Sequence, residues 1–183
     1  MNIFYLHTDP VKAARDMVDK HVVKMILESA QILSTAHRVI DGVQYEDRTA
    51  SNRRVKRWRL SNNLLDCMLY KATHVNHPMS IWARTTRANY WWLVRHLDAL
   101  LEEYTYRYNK VHKVERDNLA AVLHTFPSGI IDEQFSDPPS TMDEEFIISS
   151  DPVVNYRNYY SIGKKHIHAW TGRSTPSWLD ADQ

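Results

Sequence analysis

The chain has 183 residues, 43% of them hydrophobic, with a formal net charge of +1, one cysteine and four glycines. That size suits a single domain, 1–183, with a real core, and one cysteine excludes both an internal disulfide framework and a cysteine-rich zinc site. No apolar run approaches the roughly 18 residues of a membrane span, and the opening Met1-Asn2-Ile3-Phe4-Tyr5-Leu6 lacks the layout of a secretory signal. A cytoplasmic protein with no membrane partner is therefore expected.

Asp9-Pro10 reads as a helix start, a carboxylate cap followed by proline at the first helical position. The pattern predicts one helix from there to about Ile40, ending at Asp41-Gly42. At about 100° per residue, Val18, Val22, Met25, Ile26, Ile32, Leu33 and Ala36 share one arc, the core stripe. His21, Lys24, Glu28, Gln31, Thr35 and Arg38 form a second row at spacings of three and four, beside that arc rather than opposite it. Such a row reads in two ways. It is a set of ionisable groups at a core edge, where pKa values shift, or a solvated face with an i,i+4 Lys24–Glu28 pair.

After a polar loop through Tyr45 and Asn52, Arg53 to about Lys71 reads as a second helix, with Val55, Leu60, Leu64, Leu65 and Met68 on its inner side. Arg53, Arg54, Lys56, Arg57 and Arg59 gather around Trp58, as a surface for phosphates or as a salt-bridged helix. Asn76-His77-Pro78 breaks the chain. Pro78 then opens a third helix to about Tyr108, with Ile81, Trp82, Tyr90, Leu93, Leu97 and Leu101 inside. A short helix is expected around 115–125, and an acidic surface excursion from 126 to 150. Asp151-Pro152 begins another helix through Tyr160, and the tail from Gly163 to Gln183 reads as irregular, anchored by Trp170 and Trp178. The expected fold is all-α.

Candidate chemistry concentrates in a few places. Thr73-His74-Val75-Asn76-His77 offers two imidazoles and an amide before a helix, to hold an anion or to cap the helix. No His-Glu-x-x-His spacing is present, and no metal site or other cofactor is expected. Trp82, Arg84, Arg87, Tyr90, Trp91 and Trp92 alternate cations with rings, which suits phosphates and extruded bases. Adjacent tryptophans point in different directions. Trp82 and Trp91 are assigned to packing and Trp92 to the DNA side. The tyrosine-rich stretches 104–108 and 156–160 read mainly as helix packing. Without a Walker loop, a Gly-x-Gly-x-x-Gly turn or a nucleophile elbow, P-loop kinases, dinucleotide enzymes and ordinary serine hydrolases are disfavoured.

Asp19-Lys20-His21 followed on one helix by Glu28 resembles the first helix of the phage pyrimidine-dimer DNA glycosylases, the endonuclease V family. Thr73-His74-Val75 and the run to Tyr108 are similar to that family's histidine-valine segment and long helix. The resemblance implies a compact helical glycosylase with a lyase step, acting on a flipped pyrimidine in DNA in the host cytoplasm. In it an N-terminal α-amine attacks C1′ to give a Schiff base and a glutamate assists. Carried over, Glu28 is that carboxylate and His21 its neighbour. The nucleophile is the Met1 amine or, failing that, Lys24. The family presents a small residue after methionine removal, whereas Asn2 would leave Met1 in place. Arg38, Arg53, Arg54, Arg57, His74, Asn76, His77, Arg84, Arg87 and Trp92 are the expected DNA contacts. Two other classes fit the same residues: a phage enzyme attaching an amine or amino acid to an activated thymine, and a non-catalytic DNA-binding protein. No oligomeric state follows from the sequence.

Overall fold

The computed structural model describes residues 1–180. Asp9 does cap a helix, its carboxylate accepting the Val11 and Lys12 N–H groups at 2.9 and 3.0 Å, but that helix, α1 (Pro10–Arg15), is short. The single helix expected over 10–40 is two. The chain turns at residues 16–18 and restarts as α2 (Asp19–Asp41). The cause lies far away in sequence. The buried Arg107 guanidinium draws the carbonyls of Arg15 and Met17 and the Asp19 carboxylate onto itself at 2.8–3.0 Å, and the Asp19 N–H turns to the Ala169 carbonyl. Beyond the break the expected stripe is buried. Val22, Met25, Ile26, Ile32, Leu33 and Ala36 lose all exposure, each large side chain contributing roughly 1.5–3 kcal/mol.

The helix expected from Arg53 starts instead as a strand. β1 (Val43–Arg48) pairs antiparallel with β2 (Arg54–Arg59), Glu46 opposite Lys56 and Gln44 opposite Trp58. Five cations on two helical turns would crowd one another at i+3 and i+4. In a strand they alternate between faces and meet a neighbour carrying Glu46 and Asp47. Helix returns only in α3 (Asn63–Met68), capped by Asn62, with Leu64 exposed rather than inward.

Pro78 opens a helix as expected, but the run to Tyr108 is divided into α4 (Pro78–Ala83) and α5 (Arg87–Tyr108), the second capped by Thr86. Tyr90, Leu93 and Leu97 are buried, whereas Ile81 is exposed. Helices α6 (Lys113–Arg116) and α7 (Leu119–Leu123) fill the expected 115–125 region. Residues 124–151 form the surface excursion, with one 3₁₀ turn at Glu144–Phe146. Asp151 caps α8 (Pro152–Gly163), accepting the Val153 N–H at 2.8 Å. The tail is anchored as expected. Trp170 and Trp178 both donate to Asp16, the latter from α9 (Ser177–Asp180). The expected tail's last three residues lie outside the described part.

The result is a mostly helical fold in which α2 packs on α4 and α5, and α1 on α5, with the hairpin standing off one end of α2. Among the described residues no helix is long and apolar enough to cross a membrane.

Candidate active site

Glu28 lies on α2 where the first residues of the chain cross it. Its Oε2 accepts the backbone N–H of Asn2 at 2.9 Å, and its Oε1 faces the Lys24 ammonium at 3.4 Å. The Glu28 side chain is only 14% exposed, whereas Lys24 is 67% exposed. Lys24 therefore stands mostly in solvent, outside the shielded pocket of Glu28. Asn2 fixes the crossing. Its side-chain oxygen accepts the N–H groups of Ile3 and Phe4 at 2.8 and 2.9 Å, and its amide donates to the Thr141 carbonyl. This turn forces Phe4 into the left-handed region at φ 47°, a strained conformation costing of order 1–3 kcal/mol.

His21 secures that strained residue. Its ring stacks on Phe4 at 4.1 Å and 15°, and its Nδ1 meets the Tyr160 hydroxyl at 2.6 Å. Burial, helped by the nearby Lys164 and Lys24 ammonium groups, pushes the His21 imidazole down to about 3. It is neutral at physiological pH. Burial likewise raises the Tyr160 phenol, and its hydroxyl accepts the Val18 N–H while sharing a hydrogen bond with His21 Nδ1. His21 thus packs between Phe4 and Tyr160.

The loop at 73–77 approaches from the other side. Thr35 on α2 holds it by accepting the Thr73 N–H, and His74 adopts φ 48°. His77 caps α4 through its Nδ1. Burial, then the positive charges of the chain's α-amine and of His74, lower the His77 imidazole, with Glu28 opposing them. His77 thus senses the charge of the chain's start and of Glu28. His74 and Asn76 also line a cleft with Arg57 and Arg84.

Other expected contacts lie elsewhere. Arg38 is buried and directs its Nε, Nη1 and Nη2 at the Tyr70, Trp58, Asp66 and Leu69 carbonyls and the Asp66 carboxylate, leaving it no role on a phosphate. Trp92 is a core residue, its indole N–H donated to the Thr8 carbonyl at 2.7 Å. Of the two neighbouring tryptophans it is Trp91, at 39%, that is exposed, the reverse of the sequence expectation. Trp82 packs inside as expected. Arg87 pairs with Asp132 at 3.2 Å and covers the Phe126 ring. Arg53 and Arg54 are exposed at the outer end of the hairpin. Sequence reasoning missed Asn2, Phe4 and Tyr160. Only the tyrosine-rich stretch 156–160 carried any signal for them. Among the described residues no three His, Cys, Asp or Glu side chains converge as metal ligands.

A helical domain with a shielded carboxylate against its first residues, and a cation-lined cleft nearby, has the parts of an enzyme acting on a phosphate-bearing substrate. The profile of the pyrimidine dimer DNA glycosylases matches residues 1–116, and the chain belongs to that family, whose partner is DNA. The matched stretch runs from the first residue through α6 and includes Glu28, the hairpin and the 73–77 loop. No curated protein and no solved structure matches the chain significantly.

Proposed function

We propose that the protein is a DNA glycosylase with an associated lyase step, in which Glu28 and the α-amine at the start of the chain do the chemistry on a flipped pyrimidine nucleotide. The observation that carries this reading is the 2.9 Å contact between the Asn2 nitrogen and Glu28, which holds the chain's start against a shielded carboxylate. The neutral amine attacks C1′ as the bond to the base breaks, and the departing base takes up a proton. Glu28 moves protons between the amine and the opening sugar ring, and loss of the second amine proton leaves a Schiff base. Loss of a C2′ proton to Glu28 or water then forms a C2′–C3′ double bond and expels the 3′ phosphate. His21, Phe4 and Asn2 keep the amine in register, a 1 Å matter for such a reaction.

Borohydride reduction in the presence of dimer-containing DNA tests this. A covalent adduct is expected, with peptide mass mapping to the first residue of the mature chain. Glu28→Gln keeps the shape and loses the proton transfer, so single-turnover product formation should fall by about 10²–10⁴-fold with DNA affinity retained. An adduct on Lys24, or none on dimer-containing or abasic DNA, would overturn the assignment.

A further inference from the structure

The cleft between the hairpin and the 72–76 loop differs from three other clefts of the molecule, each of which is lined in part by carboxylates. Lys56, Arg57, Arg84 and His74 line it, with Asn76 and one wall of Trp58, and no carboxylate faces it among the described residues. Its volume, about 570 Å³, falls within the roughly 300–1,000 Å³ of small-ligand sites. Its two arginines are also unfinished. Arg57 Nε and Arg84 Nη1 are closed to solvent and meet no acceptor among the described residues. Buried donors are normally paired, because each one left without an acceptor costs stability. Burial alone lowers the Arg84 guanidinium, and nothing of opposite charge offsets it. At the buried Arg38 and Arg107 every guanidinium nitrogen has an acceptor, while Arg87, outside the cleft, has an unpaired Nε but pairs with Asp132 through Nη1.

We propose that this cleft is a phosphate-binding subsite, separate from Glu28, in which Arg57 and Arg84 grip the anion and His74 and Asn76 close on it. Anion oxygens supply the acceptors that the two guanidiniums lack, by short rotations of flexible side chains, and arginine's planar fork suits them. The 73–77 loop joins this subsite to the reaction centre, since His74 lines the cleft while His77, three residues on, feels the α-amine and Glu28. If the ligand is a backbone phosphodiester, the subsite holds the strand beside the reacting nucleotide, which rests on the glycosylase reading above. A free phosphate monoester would use the same chemistry.

Inorganic phosphate titrated into the ¹⁵N-labelled full chain, followed on the arginine Nε–Hε signals, is the direct test. The Arg57 and Arg84 signals should shift saturably, while the exposed Arg116 on α6 does not respond. Arg57→Gln or Arg84→Gln should weaken phosphate binding by roughly tenfold to hundredfold, and Arg116→Gln should not. Displacement of the phosphate by duplex DNA identifies the backbone as its source. Phosphate that stays bound beside DNA identifies a monoester site, and either result supports the subsite. No saturable shift in the wild-type protein, or equal shifts at Arg116, overturns it without depending on any variant folding. Borohydride trapping on the same samples keeps the two readings apart. Trapping with no phosphate response removes the subsite alone, and a phosphate response with no trapping removes the Glu28 assignment alone.

Discussion

Arg38 and Arg57 show the same side chain in opposite states. Arg38 is surrounded by acceptors, four of them backbone carbonyls, and ties α2 to the end of β2 and to α3. Arg107 does the same for the break between α1 and α2, with Glu103 and Asp19 as counter-charges. Arg57, one residue from a carbonyl that Arg38 uses, has a buried nitrogen and no acceptor among the described residues. The difference teaches that arginine on this surface divides into fasteners and open contacts. Sequence spacing does not separate them, since it assigns both kinds to DNA.

The largest effect should follow from removing a fastener. Arg38→Met leaves the Asp66 carboxylate and four carbonyls without their donor, and should lower unfolding free energy by roughly 3 kcal/mol or more in chemical denaturation. A change under about 1 kcal/mol would erase the distinction.

A pH titration of stability sharpens the comparison from the side of burial without a partner. His96 is fully buried, neither ring nitrogen meets an acceptor or donor among the described residues, and burial pushes its imidazole down to about 3. Between about pH 6.5, where a free histidine titrates, and about 3 the unfolded chain binds a proton that the folded ring refuses. Stability should therefore fall toward acid across that window, at up to about 1.4 kcal/mol per pH unit for this histidine, with His21 adding to it. His96→Phe should flatten the acid limb. An unchanged slope would show that the ring is protonated in place.

The smallest effect on stability belongs to the open contacts. Arg53→Ala, Arg54→Ala and Arg57→Ala should each stay within about 0.5 kcal/mol of the parent. Together they should reduce the slope of log K for duplex DNA against log salt by roughly 0.9 for each phosphate that is no longer neutralised. An unchanged slope with reduced stability would reverse the assignment.

What the sequence discloses follows the range of the forces involved. Asp9-Pro10, Asp151-Pro152 and His77-Pro78 act within three residues, and all three starts are where the residues put them. The core stripe of α2 is equally readable, because periodicity is local. The break at 16–18 is not, since Arg107 lies 90 positions from Met17, whose carbonyl it holds. The hairpin leaves a faint signal in the alternation around Tyr45 and Val55 and in Asn52, which takes φ 61° in the turn. Its strands are largely exposed, so no clean apolar alternation marks them. At the site, i,i+4 spacing puts Lys24 beside Glu28, and the structure agrees. The crossing of Asn2 depends on contacts to Thr141 and Glu28, which no short window contains. Trp91 and Trp92 exchange roles because the buried face of α5, with Leu93 and Leu97, carries Trp92 inward, where its indole N–H meets the Thr8 carbonyl.

Asp16, the residue on which two tail tryptophans converge, bears on how such a chain holds together. The family profile ends at residue 116, yet Asp16 is gripped by Trp170 and Trp178, Glu103 by Arg173, and His21 by Tyr160. Every one of those grips reaches back from beyond the shared stretch into the part that carries the candidate chemistry. The matched stretch is thus smaller than the unit of mechanical support. A homologue with a different C-terminal third would need its own way to brace the same helix break and the same histidine.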